Sequence, residues 1–173
     1  MKFFNSISAY CKNHILAVKT NMVFAALFVF LILADRVTKR LAVLRLMKAD
    51  VPVIPGVLEL HYLENRGAAW GIFPDAQWFF IAITVIVVAI MIYVYGKISF
   101  AKRFLYFRCI LILMSAGAIG NFIDRITQHY VVDFIYLKCI NFPVFNIADC
   151  FVCIAAVLLL HSILFVYKDE NLL

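Results

Sequence analysis

Long apolar stretches separated by short polar segments constrain this 173-residue chain more than any other feature of its sequence. Apolar residues make up 66% of the chain, against about 45–50% in an ordinary soluble domain. A soluble fold of this length has too little interior to bury so many large side chains. Because about 20 apolar residues cross a bilayer core about 30 Å thick, the sequence predicts a membrane protein.

Four segments are apolar enough to cross a bilayer, and the predicted fold class is an all-α membrane protein. The transmembrane helices are predicted at about residues 20–44, 77–95, 104–123 and 146–167. The first is the least obvious, because its unbroken apolar run, residues 22–34, is only thirteen residues long. No Gly or Pro lies between Val18 and Met47, however, so a helix can continue past Asp35.

The segment between the first two spans has a different pattern. Residues 58–62 alternate apolar and polar side chains, the period of a half-buried strand, and Pro55 and Gly56 precede them. We therefore expect a small β element on the membrane surface at about residues 50–73. Residues 124–144 are interpreted as the connection between spans three and four. The whole chain, residues 1–173, is predicted to be a single membrane-embedded domain.

Charge and cysteine content exclude several classes of function. The net charge of +6 comes from basic residues beside apolar segments, which suit lipid headgroups and indicate no nucleic-acid partner. Cys150 and Cys153 form a C-x-x-C without a second pair, and we interpret them as ordinary buried thiols. No H-E-x-x-H motif is present. The sequence thus predicts no metal site and no cofactor.

Polar residues gather at one depth of the predicted bundle. An ionisable group inside a span costs about 2.5–3.5 kcal/mol, so each needs a partner or a function. The polar residues at the ends of spans one, three and four, all on one side of the membrane, are Asp35, Asn121, Asp124, Arg125, Asp133, Asn146 and Asp149. Such a cluster indicates a site.

The acids of this cluster invite different interpretations. Asp124 precedes Arg125, which favours a structural ion pair between the two. Asp133 has no neighbouring charge in sequence, so burial should raise its pKa. Asp149 stands three residues after Asn146, the spacing of a capping box at a helix N-terminus. Two carboxylates brought together in an apolar site would share a proton, an arrangement that hydrolyses peptides without metal or covalent intermediate.

Five motifs, in order, resemble those of the lipoprotein signal peptidase (signal peptidase II) family. They are DRVTK (residues 35–39), NRGAAWG (65–71), GAIGNFIDR (117–125), VVDF (131–134) and FPVFNIAD (142–149). The resemblance implies that Asp133 and Asp149 are the catalytic aspartates. It also implies supporting or substrate-binding roles for Asp35, Lys39, Asn65, Gly67, Asn121, Asp124, Arg125 and Asn146. Three positions depart from the family pattern: Arg36 replaces a frequent Gln, His129-Tyr130 a common Gly, and Cys150 the usual Ser.

The resemblance also implies a function and a location. Such enzymes remove signal peptides from diacylglyceryl-modified prolipoproteins in the bacterial cytoplasmic (inner) membrane, cutting before the lipidated cysteine. Both termini would be cytoplasmic, and the small β element would be extracytoplasmic. The active site would face outward among membrane lipids, and globomycin-type inhibitors would bind there. Charge counts do not decide the orientation, because eight basic residues fall on each side of the predicted bundle.

Two other functions remain open at the level of sequence. A small proton-coupled transporter or channel subunit would need acids spread through the membrane depth, yet span two contains none. A non-catalytic assembly factor could use the same polar cluster to hold its helices together. Asp133→Asn separates the latter from an enzyme, since only an enzyme would lose activity while remaining folded.

Overall fold

A computed structural model of the protein consists of four long helices and a small sheet. The structure describes residues 2–67, 73 and 76–168, with the side chains of residues 14–67, 73 and 76–168. The helices are α1 (Lys2–Leu46), α2 (Gln77–Lys97), α3 (Leu105–Gln128) and α4 (Ile147–His161). Short helical turns flank them at Lys102–Phe104, Lys138–Ile140 and Ser162–Val166.

The four predicted spans are confirmed; the first three are longer than expected, and the fourth is one residue shorter at each end. The segments long and apolar enough to cross a membrane are His14–Leu46, Gln77–Lys97, Lys102–Gln128 and Ile147–Val166. α2, with 21 residues, is about 31 Å long, which matches a bilayer core. The third span continues to Gln128 instead of ending near residue 123. Asp124 and Arg125, interpreted as the start of a connection, therefore lie inside α3.

α3 lies at the centre of the bundle and packs against the other three helices. Two glycines permit the close approach. A Cβ at Gly117 would lie 2.4 Å from the carbonyl oxygen of Ala148 and 2.7 Å from a methyl of Val152, both on α4. A Cβ at Gly120 would lie 2.8 Å from a carboxylate oxygen of Asp35, on α1. Gly117 thus lets the backbones of α3 and α4 approach closely, and Gly120 leaves room for the Asp35 carboxylate where the polar side chains cluster.

The sheet has three antiparallel strands in the order β1 (Val51–Ile54), β2 (Leu58–Asn65) and β3 (Val131–Leu137). Pro55 and Gly56 form the turn between β1 and β2, closed by the Val57 N–H on the Ile54 carbonyl at 2.9 Å. Gly56 has φ of 75°, as the third position of a type II turn requires. The predicted strand is confirmed and extends to Asn65. Residues 68–72 of the predicted element lie outside the described residues.

The third strand was not predicted, and it changes the architecture. β3 comes from the connection between α3 and α4 and pairs along most of β2. It rests on the C-terminal end of α1, where Ala42 and Leu46 pack against Val132 and Phe134. The two connecting segments therefore form one surface element anchored on the bundle.

α3 ends at His129, which has the left-handed φ of 63°. The reversal sends the chain directly into β3. Glycine adopts this conformation without a Cβ penalty. This gives a physical reason for the common Gly that His129-Tyr130 replaces in the family pattern described above.

Candidate active site

Asp133 and Asp149 meet because the chain reverses between β3 and α4. Phe145 pairs with β3: its N–H donates to the Ile135 carbonyl at 3.0 Å and its carbonyl accepts from the Ile135 N–H at 2.8 Å. The next residue, Asn146, begins α4. Its Nδ2 donates to Asp133 Oδ1 at 2.6 Å, and its backbone N–H donates to Asp149 Oδ2 at 3.0 Å. One asparagine therefore contacts both carboxylates.

The predicted capping box is confirmed. The Asn146 side chain accepts from the Asp149 backbone N–H at 3.0 Å, while the Asp149 carboxylate accepts from the Asn146 N–H. This pairing orients the first turn of α4. Asp149 is thus a capping residue whose second carboxylate oxygen remains available to other partners.

Three asparagine amides share one arrangement around the two carboxylates. In each, a donor fixes the amide oxygen: the Gly67 N–H for Asn65 at 2.9 Å, and the Lys39 ammonium for Asn121 at 2.8 Å. The Asp149 N–H does the same for Asn146. Since the amide oxygen is occupied by a donor, the amide nitrogen must point the other way.

The amide nitrogens therefore deliver their hydrogens to the aspartates. Asn65 donates to Asp133 Oδ2 at 2.8 Å, and Asn121 donates to Asp149 Oδ1 at 2.7 Å. With the two bonds from Asn146, every oxygen of both carboxylates accepts one oriented hydrogen bond. Each oxygen keeps a further lone pair for a proton or a water.

The predicted ion pair between Asp124 and Arg125 is wrong. Asp124, nearly fully buried, instead contacts two cations of α1: Arg36 Nη1 at 2.6 Å and Lys39 Nζ at 2.8 Å. Its Oδ2 also accepts from the Val132 N–H at 3.3 Å. Because two cations of α1 already balance its carboxylate, Asp124 does not need Arg125 as a partner. Asp124 still has a structural role, but it ties α1 to α3 and to β3.

Arg125 lies with its guanidinium 4.9 Å from the centre of the Phe80 ring and reaches the wall of a cavity. The cavity volume is about 510 Å³, within the range of small-ligand sites. Apolar residues of the 142–145 segment and of α4 form much of its wall. Its polar members are Asn65, Asn121, Arg125, Asp133 and Asp149. Both candidate catalytic carboxylates therefore line one partly open, mainly apolar cavity.

Asp133 is almost completely buried, with 1% of its surface exposed. Burial, together with the nearby Asp149 carboxylate, raises the pKa of the Asp133 carboxyl to about 7. The hydrogen bonds from Asn65 and Asn146 and the Lys39 charge act in the opposite direction. The expectation that burial raises this pKa agrees with the structure. Asp133 can therefore gain or lose a proton near neutral pH, as a general acid or base requires.

Asp133→Asn should change thermal stability in a pH-dependent way. Because the folded-state pKa lies above the unfolded value of about 3.9, the stability that protonation contributes is lost as pH rises through about 7. Asparagine does not titrate, so the unfolding temperature of the variant minus that of the wild type should increase from about pH 5 to about pH 8. Thermal unfolding in detergent measures this difference. Glu64→Gln, which removes an exposed carboxyl whose ion-pair partner is Arg66, is the control, and a pH-independent difference for Asp133→Asn would contradict the assignment.

Two cysteines of α4 are more exposed than expected. Cys150 and Cys153 are free thiols in the cavity wall. Cys150 is half-buried and Cys153 is exposed, so their interpretation as ordinary buried thiols is wrong. In the described part of the chain, the atoms of Asp50, Glu59 and His61 lie within 4.8 Å of one another, close enough to share a metal ion. Each of these side chains already has a partner: His61 pairs with Asp50, and Glu59 pairs with Lys138, both at 2.8 Å. Glu59 lies four residues before Leu63, the β2 residue that is paired with Asp133.

Arg36 is the residue that sequence reasoning missed, since it was treated only as a departure from the family pattern. Its Nη2 contacts Asp35 Oδ2 at 2.6 Å and the Gly120 carbonyl at 2.9 Å, in addition to its bond with Asp124. A signal was present: Arg36 and Lys39 are three residues apart, so they lie on one face of a helix. Asp35, four residues before Lys39, has the spacing of a helical ion pair with it.

Comparisons with known proteins agree with this geometry. A family described as signal peptidase (SPase) II matches residues 27–165. Lipoprotein signal peptidases of Streptococcus pyogenes serotypes M6 and M1 are each 36% identical over 149 residues, covering 86% of this chain and 95% of theirs. A bacterial membrane enzyme solved at 2.3 Å superposes with a TM-score of 0.73 at 31% identity, covering 86% of this chain and 93% of that one. A second, solved at 1.9 Å, has a TM-score of 0.71 at 34% identity, with coverages of 83% and 93%.

Proposed function

The chain belongs to the signal peptidase II family, and we propose that it is an aspartyl endopeptidase that removes signal peptides from bacterial prolipoproteins. The observation that carries the aspartyl mechanism is the set of three amides oriented onto Asp133 and Asp149. Such an arrangement holds two carboxylates in fixed positions while leaving lone pairs directed to substrate and water. A site on rigid elements with its supporting hydrogen bonds satisfied is what catalysis of this kind requires.

In the proposed reaction the dyad carries one shared proton. Asp133, with its raised pKa, holds that proton and donates it to the scissile carbonyl oxygen. Asp149 takes a proton from the attacking water, whose oxygen forms a bond to the carbonyl carbon. When the tetrahedral intermediate collapses, the C–N bond breaks, Asp149 protonates the leaving nitrogen, and Asp133 regains its proton from the hydroxyl. Atoms and charge balance without metal or cofactor.

The proposed substrates are diacylglyceryl-modified prolipoproteins, cut just before the lipidated cysteine. The apolar wall of the cavity, with Phe142, Val144 and Ile154, supports an occupant with apolar groups. Acyl chains in the surrounding bilayer would set the depth of the scissile bond, at about 0.8 kcal/mol per buried methylene. Globomycin-type inhibitors are proposed to bind the same cavity.

The proposed setting is the bacterial inner membrane, which the protein crosses several times, with both termini cytoplasmic and the dyad toward the outer face. Residues 1–173 are proposed to act as one membrane-embedded domain. The sheet then lies on the outer surface, over the end of α1. A proton-transport role has less support, because α2 contains no acid and the buried or half-buried carboxylates of α1, α3, β3 and α4 lie at one end of the bundle.

The purified protein in detergent should shorten a diacylglyceryl-modified prolipoprotein and leave the unmodified form of the same prolipoprotein largely intact. Lipid positioning should act on rate as well as on affinity, because it places the scissile bond at the dyad. Mass spectrometry identifies the cut bond. Equal cleavage of both forms would remove the proposed role of the lipid, and no cleavage of either would remove the proposed function.

A further inference from the structure

Arg36 joins two buried carboxylates from different helices. Its guanidinium contacts Asp35 on its own helix and Asp124 on α3, each at 2.6 Å. The Asp35 side chain is 0% exposed and that of Asp124 is 3% exposed, whereas the Arg36 side chain is 27% exposed. A planar guanidinium suits this double contact, because it can donate to two acceptors at once.

Lys39 shares the same two carboxylates. Its Nζ lies 3.2 Å from Asp35 Oδ1 and 2.8 Å from Asp124 Oδ2. This charge cluster therefore consists of two anions and two cations: Asp35, Asp124, Arg36 and Lys39. Without Arg36, Lys39 alone among the described residues would remain in ion-pair contact with both buried carboxylates, and the cluster would carry a net negative charge. Unbalanced buried charge is strongly unfavourable, so the side chains would rearrange.

The cluster reaches both members of the dyad through hydrogen bonds. Lys39 fixes the amide oxygen of Asn121, and Asn121 donates to Asp149 at 2.7 Å. Asp124 accepts from the backbone N–H of Val132, the residue immediately before Asp133. Arg36 itself lies behind the carboxylates and is not in the cavity wall. Its influence on the reaction would be indirect.

We propose that Arg36 is a positioning residue: it neutralises Asp35 and Asp124, leaving Lys39 to orient Asn121 and, through it, the dyad. The role in catalysis rests on the proposed function. The positioning itself rests on contacts that exist in the folded protein whatever its substrate. Glutamine, the residue frequent at this position in the family, could donate hydrogen bonds but could not balance the charge.

Protonation of the dyad provides the readout, because a residue that merely packs would not change it. The charged groups acting on Asp133 are Asp149 from α4, Lys39 from α1 and Arg125 from α3, while β2 contributes the Asn65 amide, which does not titrate. Removing the Arg36 charge leaves the region more negative, which favours the protonated dyad. Arg36→Gln should therefore raise the apparent pKa of the Asp133 carboxyl by about half to one unit.

The test is a carboxyl-carbon NMR titration of the protein labelled at aspartate Cγ, with the Asp133 signal identified from the Asp133→Asn spectrum. Arg36→Lys keeps the charge and should titrate close to the wild type. The double change Asp35→Asn, Arg36→Gln removes one charge of each sign, so Asp133 should again titrate close to the wild type. Arg40→Gln, an exposed charge on the same helix, is the matched control.

The same variants are then assayed against the lipidated substrate across pH. The basic limb of the kcat/KM profile should move upward in Arg36→Gln in step with the titration, with KM little changed. A folded Arg36→Gln whose titration matches the wild type overturns the proposal. If Arg36→Gln does not fold, an Arg36→Lys titration displaced upward by a similar amount overturns it. A wild type that titrates as expected but cleaves nothing refutes the proposed function and leaves the Arg36 test decided by NMR.

Discussion

Replacing either Asp133 or Asp149 with asparagine should abolish cleavage of the lipidated substrate, with a loss of at least about a thousandfold in kcat. Asparagine preserves shape but fixes the protonation state, so neither the shared proton nor its transfer remains. In Asp133→Asn, the new side-chain NH2 would also face another hydrogen-bond donor. Asn65 and Asn146 both donate to the Asp133 carboxylate, and asparagine has one oxygen to accept them, so only one of these two bonds can survive.

The two single variants should be nearly as inactive as the double variant, because residues that act as a unit are not additive. Asp50→Asn, an exposed carboxyl outside the dyad, is the matched control and should cleave like the wild type. Folding is verified by thermal unfolding of each purified variant before assay. Near-normal cleavage by a folded Asp133→Asn or Asp149→Asn would show that the pair is wrongly assigned.

Gly117→Val should prevent α3 and α4 from packing and lower the yield of folded protein severely. A Cβ at Gly117 would already lie 2.4 Å from a backbone oxygen of α4, and a backbone atom cannot move aside as a flexible side chain can. The added methyls of valine increase the overlap. Because α4 carries Asn146 and Asp149, separating these helices would also dismantle the site.

Gly96→Val is the matched control for this prediction. Gly96 lies in α2, and a Cβ there meets no atom within 4 Å among the described residues. Detergent-solubilised yield and unfolding temperature distinguish the two variants. A Gly117→Val protein with the stability of Gly96→Val would show that the α3–α4 contact is looser than the structure indicates.

Much of this architecture could be predicted from local properties of the chain. Span length follows from the run of apolar residues, because a helix advances about 1.5 Å per residue across a bilayer of known thickness. The alternation at residues 58–62 predicted β2, and the Asn146–Asp149 spacing predicted the cap. Each of these signals depends on residues within one turn, one strand or one span.

β3 could not be predicted in the same way. Its first four residues, Val131 to Phe134, are all buried, so the strand shows no alternation of apolar and polar side chains. Its partner strand lies about seventy residues earlier in the sequence, in a different connection. Strand pairing over such a separation is decided by packing on α1 and not by local pattern.

The partners of the charged residues depended on tertiary structure for the same reason. From the sequence, Asp124 has a cation beside it, yet its ion pairs are with Arg36 and Lys39 of α1, a separate segment of the chain. The sequence alone determined that the protein spans a membrane four times and that several acids gather at one end. Only the tertiary structure decided which amide faces which carboxylate and that Arg36 balances the buried charge. Span length and caps are properties of a continuous segment, whereas ion pairs and oriented amides exist only when separate segments are packed together.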